Sequence, residues 1–209
     1  SKASTTLVEE SSESWLNLND NFTALAGNEF LWGSERSGFN HLYHFDAIGQ
    51  LISQLTTGDW VVADVKAVTK SHIYFDGFMD TPLERHLYRV SLNNQSIDRL
   101  TEPGFSHQTA LSSDASVFVD RYSSALTPPA VSLMSQDGEL IESLEPNALN
   151  DRHPYAPYIN LRGEHQFATV QAEDGQTLHY RVIKPASNKL EVNGAAPLLL
   201  TVYGGPGVQ

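Results

Sequence analysis

The sequence contains no cysteine, and this absence excludes several kinds of site. A disulfide framework, a thiolate metal cluster and a cysteine nucleophile all need sulfhydryl groups that the chain does not have. Because cysteine-free proteins occur in oxidising and in reducing compartments, the absence does not decide where the protein resides.

Long apolar runs and positive charge are also scarce. No stretch approaches the roughly 18 consecutive apolar residues of a membrane-spanning helix, and Ser1–Ser14 lack the charged-then-apolar order of a signal peptide. Thirteen basic residues stand against 25 acidic ones, for a formal net charge of −12. This balance disfavours nucleic acid and anionic membrane surfaces as partners, and we expect neither.

The chain has enough apolar material for a folded core. Its 209 residues are 40% hydrophobic and 18% charged, which is typical of globular domains. The length fits one large domain or one and a half ordinary ones. Because the first residue is serine and the last lie in a glycine-rich stretch, we expect a piece of a longer protein.

A repeat organises most of the chain. The segment His41–Phe45 recurs as His86–Val90 and, more weakly, as Ala130–Met134, a step of about 45 residues. Two further landmarks recur in the same register, one before and one after each of these segments. They are Phe30–Trp32, Ile73–Phe75 and Val117–Val119 on the upstream side, and Leu51–Thr56, Ser96–Thr101 and Leu140–Glu145 on the downstream side.

Each copy of the repeat predicts four short strands joined by turns. Apolar and polar residues alternate as half-buried strands require, and the connectors Asn93–Asn94 and Asp137–Gly138 carry turn residues. Four antiparallel strands at this period are typical of β-propeller blades. In the second copy the predicted strands are Val61–Val68, Ser71–Phe75, His86–Val90 and Gln95–Leu100.

The domain organisation follows from the repeat. We predict about three blades over residues 15–146, preceded by the end of another blade in residues 1–14. Since a ring generally needs four or more blades, the rest of it is expected outside this chain. The proline-rich residues 147–160 are predicted to be a linker or partial blade, and residues 161–209 to begin a second domain.

The second domain has two predicted features. His165–Val170 and Thr177–Ile183 flank the turn Glu173–Gly175 and predict a hairpin. The run Leu198–Val202 predicts a buried strand, because it is short, apolar or β-branched, and followed by glycines. In an open α/β sheet, ligands gather at the carboxyl ends of such strands.

Eight segments along the chain carry a resemblance to a known family. They are Trp15–Asp20, Ser34–Tyr43, Leu55–Trp60, Glu84–Arg89, Phe118–Ser124, Asp174–Gly175, Ile183–Pro185 and Leu198–Gln209. In this order they resemble the dipeptidyl peptidase IV group of the prolyl oligopeptidase family of serine peptidases, in its bacterial type, and they cover nearly the whole chain. The resemblance implies an all-β part made of the last propeller blades, followed by the first strands of an α/β-hydrolase domain.

The resemblance implies a serine–aspartate–histidine triad that cleaves after the second residue of a peptide. Its serine would lie in a Gly-x-Ser-x-Gly turn, and the chain has no such turn. The nearest stretch, Gly104–Gln108, lacks the second glycine, so Ser106 is not expected to be the nucleophile. We therefore expect this chain to be inactive by itself.

Tyr203 is the one catalytic residue that the resemblance assigns within the chain. The matching tyrosine of the family donates its hydroxyl to the oxyanion of the tetrahedral intermediate, and such a donor is worth roughly 3–4 kcal/mol of barrier. The alternative is a tyrosine at a strand end that packs its ring and bonds locally.

Several charged groups are assigned structural roles. The family anchors the amino terminus of its substrate with two glutamates, but we predict that Glu9–Glu10 form a solvated edge and that the anchor lies outside the chain. Glu35–Arg36 and Glu84–Arg85 are predicted to form ion pairs between strands or blades. His41 and His86 occupy equal blade positions and are predicted to be structural. No metal or cofactor is expected.

The resulting expectation is part of a serine exopeptidase that releases X-Pro or X-Ala dipeptides from peptides. For the full-length protein, a homodimer and a periplasmic or secreted location are favoured. One alternative is a sister peptidase of the acylaminoacyl or oligopeptidase type. Another is a stand-alone propeller module that binds peptides, although such a module has no use for Pro197–Gln209.

Overall fold

The computed structural model describes residues 4–17, 20–186 and 197–203. Regular structure in these residues is almost entirely β-strand, arranged as three four-stranded sheets and one two-stranded hairpin. Within each sheet, every strand pairs antiparallel with the next strand in the chain, so every four-stranded sheet is a meander. The predicted fold class, all-β with about three blade-like sheets, is confirmed.

The strands follow one another in chain order through the three sheets, β1–β4, β5–β8 and β9–β12, and the hairpin β13–β14. Two short 3₁₀ helices, Ala26–Asn28 and Ala156–Leu161, lie outside the sheets. The strand bounds are Phe22–Ala24, Phe30–Ser34, His41–Phe45, Leu51–Gln54, Val62–Val68, His72–Gly77, His86–Ser91, Ile97–Arg99, Ser106–Leu111, Val117–Ser123, Ala130–Ser135, Leu140–Glu145, Glu164–Gln171 and Thr177–Lys184.

The second sheet forms where the repeat predicts it. Its strands agree with the predicted ones to within a few residues at each end. Aromatic and β-branched residues face each other across the strands, with Phe75 opposite Tyr88 and Ile73 opposite Val90. Such cross-strand pairs are a main source of sheet stability.

The core lies between successive sheets. Leu31, Leu42 and Leu55 of the first sheet pack with Trp60 and the apolar face of the second sheet. The opposite face of the second sheet packs on the third through Tyr74, Leu87, Leu100, Ala115 and Phe118. Because successive strand residues point to opposite faces, the second sheet buries both faces, as a propeller blade between two others does.

Residues 4–17 form no strand, and they pack on the first sheet. Val8 packs against a cluster of three aromatic residues of the first sheet, Phe30, Tyr43 and Phe45. The turn residue Gly49 has φ +83°, and a Cβ there would lie 2.1 Å from the carbonyl oxygen of Leu7. The close approach of Leu7 to this turn therefore requires glycine at position 49. The assignment of residues 1–14 to a preceding blade stays a prediction.

The chain divides into two compact units. One contains the residues up to Ser124 together with Pro129–Pro146, and the other contains Ala125–Pro128 with the residues from Asn147 onward. In the second unit the predicted hairpin is confirmed as β13–β14, with Gly175 at φ +86° in its turn. The assignments of residues 15–146, 147–160 and 161–209 to blades, linker and hydrolase domain stay predictions.

The buried strand predicted over Leu198–Val202 is not formed. Residues 197–203 have no regular structure, and Leu198, Leu199 and Leu200 are 88%, 89% and 81% exposed. An apolar run becomes a central strand only when strands on both sides pair with its backbone. No strand among the described residues pairs with it, so the prediction is wrong for this structure.

Candidate functional site

Tyr203 is the only catalytic residue that the sequence assigns to this chain. It is 67% exposed and lies outside any strand. The glycines that follow it, from Gly204 on, lie outside the described residues. The role of its hydroxyl as an oxyanion donor therefore stays a prediction.

A His–Asp pair in the third sheet has part of the geometry of a catalytic triad. Nδ1 of His107 on β9 lies 2.9 Å from the carboxylate of Asp120 on β10, and both side chains are buried. In a triad the other ring nitrogen would face a serine. Here Nε2 of His107 lies 2.8 Å from the carbonyl oxygen of Glu102. Because both ring nitrogens of His107 are engaged, the pair is a structural bridge. The expectation that Ser106 is not the nucleophile stays a prediction.

The repeated histidines hold the end of the outer strand in two sheets. Nδ1 of His41 lies 3.0 Å from Oγ1 of Thr56, and Nδ1 of His86 lies 2.9 Å from Oγ1 of Thr101. Each hydroxyl also accepts a backbone N–H, at 3.0 Å and 3.2 Å, from the residue after the histidine. We call each such set a His–Thr clamp. The predicted structural role of these histidines agrees with this geometry.

The second ring nitrogen of each clamp histidine also has an acceptor. Nε2 of His41 lies 2.8 Å from the carbonyl oxygen of Gly58, and Nε2 of His86 lies 3.1 Å from the carboxylate of Glu84. Burial lowers the pKa of both histidines, and these acceptors only partly offset the effect. Neutral rings that donate from Nε2 and accept at Nδ1 satisfy every contact.

Glu10 corrects the prediction of a solvated edge. Its carboxylate pairs with the guanidinium of Arg36 and accepts the indole N–H of Trp32 at 2.9 Å. Burial by itself would raise the pKa of Glu10, but hydrogen bonds from Arg36, Ser34 and Trp32 outweigh it and hold the pKa below its usual value. Its charge is already matched by Arg36, so Glu10 is not free to anchor an ammonium group. Glu9 is exposed, as predicted.

The two arginines of the predicted ion pairs, Arg36 and Arg85, pair with carboxylates other than their sequence neighbours. Arg85 pairs with Asp64 on β5 and, at 2.8 Å, with the buried Asp76 on β6. Burial raises the pKa of Asp76 although Lys66 and Arg85 attract its charge. The hydroxyl of Thr109 on β9 donates to Asp76 at 3.1 Å and so links the second sheet to the third.

Glu35 and Glu84 do not behave as members of arginine ion pairs. Glu84 accepts from the ring of His86 and from the backbone N–H of Gly104. Glu35 accepts two hydrogen bonds from the neutral amide of Asn17. The prediction of an ion pair is therefore wrong for Glu35.

A pocket of about 340 Å³ opens beside Glu35 and Glu10. Trp15, Leu16, Arg36, Gly38 and three serines complete its wall. This pocket was not predictable from the sequence, because its wall combines residues about 20 positions apart that only the fold brings together.

The described residues contain neither a cluster of metal ligands nor a helix that could span a membrane. Among residues 4–17, 20–186 and 197–203, no three His, Asp or Glu side chains are grouped so that they could hold a metal ion. The same residues include no helix long and apolar enough to cross a membrane.

Comparison with known proteins places these sheets in a family. Residues 1–129 match the model of the dipeptidyl peptidase IV N-terminal region. Human dipeptidyl peptidase 8 is 29% identical, over 97% of this chain and 26% of its own length. This chain therefore spans about a quarter of that relative.

Two solved structures share the fold. Dipeptidyl peptidase 4 of Porphyromonas gingivalis matches with a TM-score of 0.70 and 22% identity, over 79% of this chain and 23% of its own. A putative dipeptidyl aminopeptidase IV of Bacteroides ovatus matches with a TM-score of 0.71 and 24% identity, over 84% of this chain and 27% of its own. Since the family model covers more than half of the residues, the chain belongs to the family of the dipeptidyl peptidase IV N-terminal region.

Proposed function

We propose that this chain is part of a serine exopeptidase that releases N-terminal dipeptides with proline or alanine in second position. The observation that carries the proposal is the family match over residues 1–129, a region that holds most of the three four-stranded sheets. A relative that is similar over nearly the whole chain is named a dipeptidyl peptidase. Its name belongs to a protein about four times as long, so the activity belongs to the proposal.

The parts of the chain have separate tasks in this proposal. Residues 15–146 supply propeller blades that restrict access to peptides and unfolded ends. Residues 161–209 begin the α/β-hydrolase domain, and the triad and the amine anchor come from parts of the longer protein outside this chain. That protein is a homodimer in the periplasm or outside the cell, and the chain by itself is inactive.

Tyr203 contributes to catalysis in this proposal as a hydrogen-bond donor. When the serine attacks the scissile carbonyl, the carbonyl oxygen gains negative charge. A fixed phenol O–H stabilises this oxyanion more than it stabilises the neutral carbonyl. The gain appears only in the transition state, so it raises kcat rather than tightening substrate binding.

The test compares the 209-residue chain with the longer protein on a chromogenic Gly-Pro substrate. We expect dipeptide release from the longer protein only. In the longer protein, Tyr203→Phe should lower kcat by about 100- to 1,000-fold with little change in KM. Tyr180→Phe removes a hydroxyl from the hairpin strand β14 and should leave kcat unchanged.

Other outcomes point to the alternatives. If the longer protein is inert on Gly-Pro but cleaves an N-acetyl-alanine substrate, it is a sister peptidase of the acylaminoacyl type. If it cleaves neither substrate, nor a blocked internal Gly-Pro peptide, the peptide-binding module is favoured. Activity of the 209-residue chain itself would contradict the absence of the nucleophile.

A further inference from the structure

Trp15 is an exposed tryptophan whose orientation is fixed. Its side chain is 74% exposed, while its indole N–H donates to Oδ1 of Asn17 at 3.0 Å. The amide of Asn17 then donates to both carboxylate oxygens of Glu35, at 2.9 and 3.0 Å. Tryptophan usually buries its large apolar surface. The relay of Trp15, Asn17 and Glu35 holds the ring in solvent, where its face is available to a ligand.

Glu35 at the end of this relay carries a charge that no described cation matches. Its carboxylate accepts two hydrogen bonds from the neutral amide of Asn17, and the side chain is half-buried. The adjacent guanidinium of Arg36 is engaged elsewhere, because it pairs with Glu10 and stacks over the ring of Tyr43 at 4.9 Å.

Both features line the same pocket of about 340 Å³. We propose that this pocket binds the guanidinium or ammonium group of a basic side chain in a peptide. The face of an indole attracts a cation through the quadrupole of the ring, and the carboxylate of Glu35 supplies the opposite charge. Leu16 offers apolar surface for the methylene groups of the side chain.

The net charge of the protein supports this choice of ligand. A formal charge of −12 raises the local concentration of cations at the surface and lowers that of anions. An anionic ligand would meet Glu35 and Glu10 in the wall, where the charge of Arg36 is already matched.

The pocket does not depend on catalysis. Binding of the cation is a property of the 209-residue chain and can be measured without turnover. Only the identification of the basic residue as part of a peptidase substrate rests on the proposed function. A negative activity assay would therefore not contradict cation binding by the pocket. A negative binding assay would not contradict the proposed peptidase function.

The test follows the indole N–H signals of the three tryptophans by NMR while N-acetyl-arginine amide is added to the labelled chain. We expect the signals of Trp15 and of the Asn17 side-chain amide to move and saturate, with a Kd on the order of millimolar. The signal of the buried Trp60 should stay in place. Neutral N-acetyl-glutamine amide should give no saturable shift.

A further ligand separates the two sources of an ammonium group. Glycinamide offers only an α-amine, whereas N-acetyl-lysine amide offers only a side-chain amine. We expect saturable binding of the lysine compound and none of glycinamide. Binding of glycinamide with no binding of either blocked compound would overturn the proposal in favour of an amino-terminal anchor.

Variants assign the binding to the relay. Glu35→Gln should raise the Kd for N-acetyl-arginine amide by roughly threefold to tenfold. Glu142→Gln on β12 removes an equal charge and should leave this Kd unchanged. Trp15→Leu should raise the Kd by a similar factor, measured through the NMR signal of the Asn17 side-chain amide. The hydrogen bonds between Asn17 and Glu35 should remain in this variant. An unmoved Trp60 signal shows that each variant is folded. Unchanged affinity in both pocket variants would refute the proposal.

Discussion

Thr56 illustrates how much a single hydroxyl does at the scale of a residue. Its Oγ1 accepts the backbone N–H of Leu42 and donates to Nδ1 of His41, and all three groups are buried. Thr101 repeats the arrangement 45 positions later in the second sheet. A buried donor or acceptor that loses its partner costs about 1–3 kcal/mol.

Thr56→Val therefore tests the His–Thr clamp. Valine has nearly the shape of threonine, so the change leaves the packing intact and removes only the hydroxyl. We expect the free energy of unfolding to fall by about 2–4 kcal/mol, because a backbone N–H and a ring nitrogen lose their partners together. Urea unfolding followed by tryptophan fluorescence measures this loss.

The neighbouring Thr57→Val is the matched control. Thr57 is exposed, so its replacement should change the free energy of unfolding by less than about 0.5 kcal/mol. Equal losses for the two variants would show that the clamp contributes nothing beyond the general effect of valine at this turn.

The roles of single residues were predictable where the repeat places them at equal positions, but not from their immediate sequence neighbours. The equal positions of His41 and His86 predicted a structural role, and the threonine 15 residues after each was a further signal. Glu10 was predicted as solvated from its serine-rich neighbours. Its partners Arg36 and Trp32 lie more than 20 positions away, and no local pattern indicates such contacts.

At the scale of elements, a leucine recurs at or just after the end of the outer strand in all three sheets, but its surroundings differ. Leu55 and Leu100 follow β4 and β8 and are 4% and 6% exposed, because each packs against the following sheet. Leu144 holds the matching place in β12 and is 50% exposed. Strands were predictable from the repeat, whereas burial depends on the sheet that packs on them.

Leucine-to-alanine variants at the two extremes test this contrast. Leu55→Ala should lower the free energy of unfolding by about 2–5 kcal/mol, since it removes buried methyl groups and leaves a cavity. Leu144→Ala removes the same atoms from a half-exposed site and should cost less than about 1 kcal/mol. Parallel urea unfolding curves of the 209-residue chain compare them, and equal costs would contradict the packing of the first sheet on the second.

The error over Leu198–Val202 has an element-scale cause as well. Composition distinguishes a strand from a helix or a loop, but a strand exists only as part of a sheet. The hairpin β13–β14 was predictable because its two strands pair with each other across one turn. The apolar run would need partners from elsewhere, which its own sequence does not specify.

At the scale of the whole molecule, buried titratable groups make stability depend on pH. Burial lowers the pKa of His41, with the Gly58 carbonyl acting in the opposite direction, and burial also lowers the pKa of His86 against the effect of Glu84. Between its lowered folded value and the unfolded value near 6.5, each histidine is protonated in the unfolded chain and neutral in the fold. Their contribution is therefore complete above about pH 6.5 and is lost as the pH falls below it.

We accordingly expect the free energy of unfolding to decrease between pH 7 and pH 5, by up to about 1.4 kcal/mol per pH unit for each clamp histidine. Asp76 has a raised pKa and acts in the opposite direction, but it is common to all variants compared. In His41→Gln the free energy of unfolding, measured with urea at each pH, should fall less steeply between pH 7 and pH 5, although the variant is less stable at every pH. His179→Gln alters an exposed residue of β14 and should retain the parent slope. If His41→Gln and His86→Gln both keep that slope as well, the clamps are not the groups that take up the protons.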